Sequence, residues 1–133
     1  MIFQKISKPD NEILKIFIPY RKNFIYSSKT ASKQLKRIIK TSIAFYKVFF
    51  EPTGYFDGCL FVDCIDKNNK IIEFGGFAAR HAHTKEAITE LIAYLKYHYP
   101  NYKVKAKTEF LVAKISLIRA GFKKKENGDY IYD

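Results

Sequence analysis

Apolar residues recur along this chain at two spacings, and the switches between those spacings mark its elements. Met1 to Ile6 reads as a short strand. Pro9 opens a brief helix through Ile13, Leu14, Phe17 and Ile18, and Pro19 stops it. Residues 19–28 carry no period and are expected to be irregular. Leu35, Ile38, Ile39 and Ile43 return every three or four residues and predict a helix from about Thr30 to Ile43. Three strands follow, at about Ala44–Glu51, Cys59–Ile65 and Lys70–Ala79. Pro52-Thr53-Gly54 breaks the first from the second, and Asp66-Lys67-Asn68-Asn69 turns the second into the third. Gly75-Gly76 inside the third strand predicts a bulge, or a place where something approaches the backbone closely.

A helix beginning at His83 or Thr84 buries Ala87, Ile88, Leu91, Ile92 and Leu95 and ends at Tyr99-Pro100-Asn101. Tyr102–Thr108 alternates Val104 and Ala106 with Lys103, Lys105 and Lys107, the pattern of a half-buried strand. The last helix opens on Thr108, whose hydroxyl is suited to cap first-turn amides, and closes on Gly121, suited to the left-handed conformation that ends a helix. Leu111, Ile115 and Ile118 form one face of it, the expected core face. Gly121–Lys125 and Tyr130–Tyr132 then pair through Glu126-Asn127-Gly128-Asp129. The strands at Lys70–Ala79 and Tyr102–Thr108 should lie side by side and parallel, because a helix crosses between them.

The 133 residues form one expected domain, long enough for a core without metal or disulfide staples. Cys59 and Cys64 are five apart, so a continuous strand would send them to opposite faces, as two core thiols rather than a bridge. No apolar run approaches the roughly 20 residues of a membrane span, which speaks against membrane insertion. The opening Met-Ile-Phe-Gln-Lys lacks the apolar core of a secretory signal, and a cytoplasmic protein is expected.

Charge changes the picture more than size does. Lys and Arg number 24 against 13 Asp and Glu, a net +11 that attracts nucleic acid, acidic proteins or phosphorylated ligands. Of the 24, 20 are Lys, and with so much Ile, Tyr, Phe and Asn an AT-rich coding sequence would give the same bias. Lys33, Lys36, Arg37 and Lys40 share one side of the Thr30–Ile43 helix with no acid among them, a candidate surface for nucleic acid or an acidic protein partner. Tyr20, Arg21, Lys22, Tyr26, Lys29 and Lys33 interleave aromatics with positive charge, as surfaces that stack bases do.

The order strand, helix, helix, three strands, helix, strand, helix, two strands resembles the GNAT superfamily, acyltransferases that move an acyl group from coenzyme A to an amine. The residues that carry the likeness lie between about 70 and 123. Arg80 stands at the first position of the family's Arg/Gln-x-x-Gly-x-Gly/Ala pyrophosphate loop, after the Gly75-Gly76 strand. Ala113, Gly121 and Phe122 match its Asn-x-x-Ala-x-x-x-Tyr-x-x-x-Gly-Phe pattern. The resemblance implies an α/β (α+β) fold: a mixed, mostly antiparallel seven-stranded sheet flanked by about four helices. It implies acetyl-CoA or another acyl-CoA as cofactor, held by Gly75, Gly76, Phe77, Arg80, His81, His83, Thr84 and Lys85. Glu73 would be the proton acceptor from an amine whose identity no residue names.

Four positions depart from the pattern. His83 and Lys85 replace loop glycines, Phe110 replaces the Asn, and Leu117 replaces the tyrosine that protonates the departing thiolate. Two readings follow. One is a divergent acyltransferase of low or absent activity. The other is a basic binding or structural module on the same fold, such as a component of a phage assembly. His81 and His83 are neighbours with no third ligand in the sequence, so no metal site is assigned.

Overall fold

The computed structural model describes residues 1–24, 29–108 and 110–133. Its elements in chain order are strand β1 (Ile2–Lys5), helix α1 (Asn11–Phe17), a 3₁₀ helix (Ile18–Asn23), α2 (Ala31–Thr41), β2 (Ala44–Phe50), β3 (Tyr55–Asp66), β4 (Ile71–Ala78), α3 (Thr84–His98), β5 (Lys103–Ala106), α4 (Leu111–Arg119), β6 (Lys123–Lys124) and β7 (Tyr130–Tyr132). The seven strands make one sheet in the order β1-β2-β3-β4-β5-β7-β6. All neighbours are antiparallel except β4 and β5, which are parallel and joined through α3, as the crossover requires.

Each face of the sheet has its own core. Leu60, Val62, Ile72 and Phe74 meet α3 and Leu117 of α4 on one face. Cys59, Phe61 and Phe77 meet Ile13 and Phe17 of α1 and Leu35, Ile38 and Ile39 of α2 on the other. The second core is aromatic, with Phe45 stacked on Phe61 at 5.3 Å and Phe17 tilted against Phe77 at 5.3 Å. Buried Gln34 ties α2 to the 3₁₀ helix, its amide donating to the Arg21 carbonyl at 2.8 Å.

Several expectations from the sequence are corrected. Residues 18–23 form a 3₁₀ helix instead of irregular chain, with Pro19 in its first turn, where a missing N–H costs nothing. Tyr26 lies outside the described residues. Thr108 does not cap α4. Its hydroxyl accepts from Phe110 N at 3.1 Å, and Phe110 stands at the cap position without a side-chain bond. Gly121 does take a left-handed conformation, at φ 103°. Phe122 N donates to Leu117 O and Gly121 N to Ile118 O, both at 3.0 Å, closing the helix in a Schellman turn.

The outward side of α4 reverses the expectation. Leu111 is 70% exposed, Ile118 51% and Ile115 41%, while Ser116 and Leu117 are buried. Gly75-Gly76 is not a bulge either, since β4 keeps its register with β3 through both. A Cβ on Gly76 would come within 2.6 Å of the Cys59 carbonyl oxygen, so β3 itself is what approaches. The bulges are in β3. Val48 pairs with Gly58 and Phe49 with Phe56, leaving Asp57 extra, and Val62 pairs with Phe74 and Cys64 with Glu73, leaving Asp63 extra. The second bulge shifts the alternation, so Cys64 shares a face with Cys59 rather than opposing it. The two form no disulfide.

Candidate active site

The site begins where a pairing ends. β4 and β5 are joined through Ile71–Lys103, Ile72–Val104 and Glu73–Lys105, and beyond Glu73 they diverge. Gly75 to Ala78 still pair with β3. On their other side, alternate backbone groups meet no strand among the described residues. A cavity of about 240 Å³ opens in the gap, floored by Phe74, Leu117 and Ala113 and walled by Tyr20, Phe77 and Phe110. Tyr20 packs edge-on against Phe110 at 4.5 Å and its hydroxyl donates to the Ala78 carbonyl at 3.1 Å. Burial pushes that phenol above its ordinary pKa. Tyr20 thus faces inward, and Arg21 donates to Gln34 Oε1 at 3.2 Å, so neither is the outward stacking residue the sequence pattern offers.

The far end of the cavity is the start of α3, where unpaired first-turn amides and the helix dipole favour an anion. Arg80, His81, His83 and Thr84 line it beside Gly75, Gly76 and Phe77, whereas Lys85 is exposed and outside the lining. The Arg80 guanidinium lies over the Tyr55 ring at 4.8 Å, and His81 Nε2 is 3.3 Å from the Tyr20 hydroxyl. His83 stacks flat on Phe50, rings 3.6 Å apart.

Asp57 is the residue the sequence reading missed. Its bulge turns the carboxylate into this cavity, with its side chain 6% exposed. Its carbonyl accepts from Ala79 N at 2.8 Å and Arg80 N at 3.2 Å, fixing the loop into α3. The carboxylate lies 3.2 Å from His83 Nδ1, close enough for an ion pair once the ring is protonated. That contact is not aligned as a hydrogen bond, and both carboxylate oxygens, His83 Nδ1 and the Thr84 hydroxyl are buried without hydrogen-bond partners. The legible signal was Asp57-Gly58, an acid beside a glycine at a strand end. Gly58 has φ 153°, and a Cβ there would meet the Phe77 carbonyl oxygen at 2.5 Å.

Glu73 lies elsewhere, on a second cavity of about 270 Å³ with Asp63, Lys105, Lys107 and Asp129. Lys105 forms an ion pair with Glu73 and sits 4.0 Å from Asp129. The hydrogen bond to Glu73 raises the Lys105 pKa, against the opposing effect of burial. Asp63, turned in by its own bulge, is pushed up by burial and by the charge of Glu73. Gly75 and Phe74 line both cavities, so they are two sides of one gap.

Lys33, Lys36, Arg37 and Lys40 are all exposed along the outer side of α2. Among the described residues no group of three or more His, Cys, Asp or Glu is set to hold a metal ion, and no helix is long and apolar enough to cross a membrane.

No family model and no curated protein matches this sequence. Solved structures do. A chimera of the Vibrio cholerae spermidine N-acetyltransferase SpeG and hSSAT superposes with a TM-score of 0.64 at 11% identity, covering 98% of this chain and 93% of its own. The Campylobacter jejuni N-acetyltransferase PseH gives 0.63 at 15% identity, over 98% and 94%. The aminoglycoside acetyltransferase AAC(6')-Ib, solved with coenzyme A, gives 0.65 at 12% identity, over 97% and 91%. With the seven-stranded order, the parallel β4–β5 pair and the gap after Glu73, the fold of this chain is that of the GNAT acetyltransferases, in a divergent form.

Proposed function

We propose that the gap between β4 and β5 binds an acyl-CoA and that the chain transfers the acyl group to an amine. The observation that carries this is the end of strand pairing at Glu73–Lys105, with a cavity reaching from the Gly75–Ala78 edge that β5 leaves uncovered to the start of α3. Two features fit the cofactor. The floor and walls are apolar and aromatic, suited to an uncharged chain. The Thr84 hydroxyl is buried without a partner at the anion-favouring helix start, where a phosphate oxygen would accept its hydrogen bond. Asp57 shares this lining as a carboxylate 3.2 Å from His83 Nδ1.

The bound cofactor would supply an activated acyl thioester. Backbone amides of Gly75–Phe77 that meet no strand are placed to donate to its carbonyl oxygen as charge develops. Arg80 supplies by charge part of what glycine-borne amides supply in the family pattern, and the Thr84 hydroxyl adds a donor. The acceptor would enter from the second cavity, where Asp63, Glu73 and Asp129 outnumber Lys105 and Lys107 and draw a cation. Glu73 takes the proton from the amine nitrogen, for which it must first part from Lys105. Leu117 is buried and aliphatic and delivers no proton to the leaving sulfur. A missing positioned acid lowers rates by about 10²–10⁴-fold, so slow turnover is expected.

Calorimetric titration with acetyl-CoA tests the reading. Binding should be weakened by Arg80→Gln and left unchanged by Lys123→Gln, and no heat at millimolar cofactor would remove it. If turnover is found, Glu73→Gln should lower kcat with little change in cofactor affinity. Unchanged kcat would take Glu73 out of the mechanism.

The second reading, a basic binding module, is favoured by the exposed Lys33, Lys36, Arg37 and Lys40 face. Affinity for nucleic acid through it would fall steeply with salt, and equally across unrelated sequences, as condensed counterions are released.

A further inference from the structure

Helix α4 is amphipathic in reverse. At 100° per residue, Ala113, Ser116, Leu117 and Ala120 fall on the side toward the sheet, three of them small. Leu111, Ile115 and Ile118 fall together on the opposite side, and Val112 beside them is also exposed. They make an aliphatic ridge about 10 Å long, from the rise of about 1.5 Å per residue. Lys114 borders it on one flank and Arg119 on the other.

The charge around the ridge has one sign. Residues 103–125 hold Lys103, Lys105, Lys107, Lys114, Arg119, Lys123, Lys124 and Lys125 against one acid, Glu109. Lys103, Lys105 and Lys107 are engaged by Asp133, Glu73 and Asp129. Lys114, Arg119 and Lys123 to Lys125 have no ion pair among the described residues. An exposed aliphatic ridge bounded by unneutralised cations calls for an occupant that is apolar within and anionic at its surface.

We propose that the α4 ridge docks on an anionic membrane surface, its four aliphatic side chains entering the headgroup boundary while Lys114 and Arg119 engage phosphates. Three considerations favour this occupant. A second copy meeting ridge to ridge would set Lys114 and Arg119 against their own counterparts. A stable protein interface takes about 800 Å² and 20–30 residues on each side, centred on aromatic or arginine anchors, and the ridge is a few aliphatic residues. A fluid bilayer needs no groove shaped to a convex ridge. The chain would lie on the membrane, not span it.

The test is flotation with phosphatidylcholine vesicles, with and without about one third phosphatidylglycerol. The wild-type protein should float with the anionic vesicles at low salt and be released at high salt, where the Debye length falls to about 3 Å at 1 M. The paired changes Ile115→Ser and Ile118→Ser should weaken binding roughly tenfold or more. The pair Lys114→Gln and Arg119→Gln should do likewise, at about fivefold per charge. The chain has no tryptophan, so Leu111→Trp gives a single reporter whose emission should shift to the blue on anionic vesicles alone. No flotation at low salt, equal flotation of the serine pair, or an unshifted tryptophan would each overturn the proposal. So would a wild-type dimer that the serine pair dissociates, or ridge-dependent capture of an acidic protein without vesicle binding.

Discussion

Helix α2 turns Leu35, Ile38 and Ile39 onto the aromatic face of the sheet and leaves Lys33, Lys36, Arg37 and Lys40 outside. Helix α4 turns Ala113, Ser116 and Leu117 inward and leaves Leu111, Ile115 and Ile118 outside. Both carry an aliphatic stripe at helical spacing. The difference lies beneath them. Beside Leu117 the core already holds Phe122 from the turn after α4 and Tyr130 from β7, with Phe122 against Phe74 at 5.8 Å and Tyr132 at 5.5 Å, so the room left suits small side chains. The Schellman turn at Gly121 then fixes the rotation, because Phe122 must fold back beneath Leu117. Period reveals a face. Which way it turns depends on the volume already occupied opposite.

Leu35→Ala should break the α2 side of this contrast most severely. Leu35 is fully buried, and its truncation is expected to cost about 2–5 kcal/mol in chemical denaturation, through lost transfer energy and a cavity. A smaller effect follows from the helix starts. Thr30 accepts from Lys33 N at 3.2 Å and caps α2, so Thr30→Ala should cost about 1 kcal/mol. Thr108→Ala should cost less, because that hydroxyl bonds an amide before α4 begins. Equal losses at the two threonines would mean that α4 starts a turn earlier than described. The smallest effect should come from Ile118→Ser, within about 0.5 kcal/mol of wild type in the same denaturation assay. A loss as large as that at Leu35 would show the ridge to be packed within this chain.

Topology was legible in the sequence because long-range order here follows from local signals. Helical spacing in α2 and α3, alternation in β5 and turn residues at Asp66-Asn69 each fixed an element, and the crossover rule then placed β4 beside β5. Gly75, Gly76 and Arg80, grouped in the sequence, line one cavity together. Residues that depend on register were not legible. Asp57 and Asp63 reach their cavities because β3 gains one residue at each, and beyond the glycine beside Asp57 nothing in composition marks where a ladder will slip. Glu73 was named correctly as a residue of β4, but its partner Lys105 comes from a strand 32 residues later and becomes visible only through the parallel register. The Pro19 segment misled for a local reason: proline ends an α-helix yet opens a 3₁₀ turn equally well.

The gap after Glu73 also sets a scale. Since its mouth is made by withheld pairing, its depth changes only in whole residues, by about 3.3 Å for each further β4–β5 pair. One more pair would shorten the space by that step and would also claim backbone groups now turned toward it. A chain with this fold can therefore tune what it accommodates by a ratchet in the ladder, with no exchange of lining side chains. The three pairs between Ile71–Glu73 and Lys103–Lys105 are the notch at which this one has stopped.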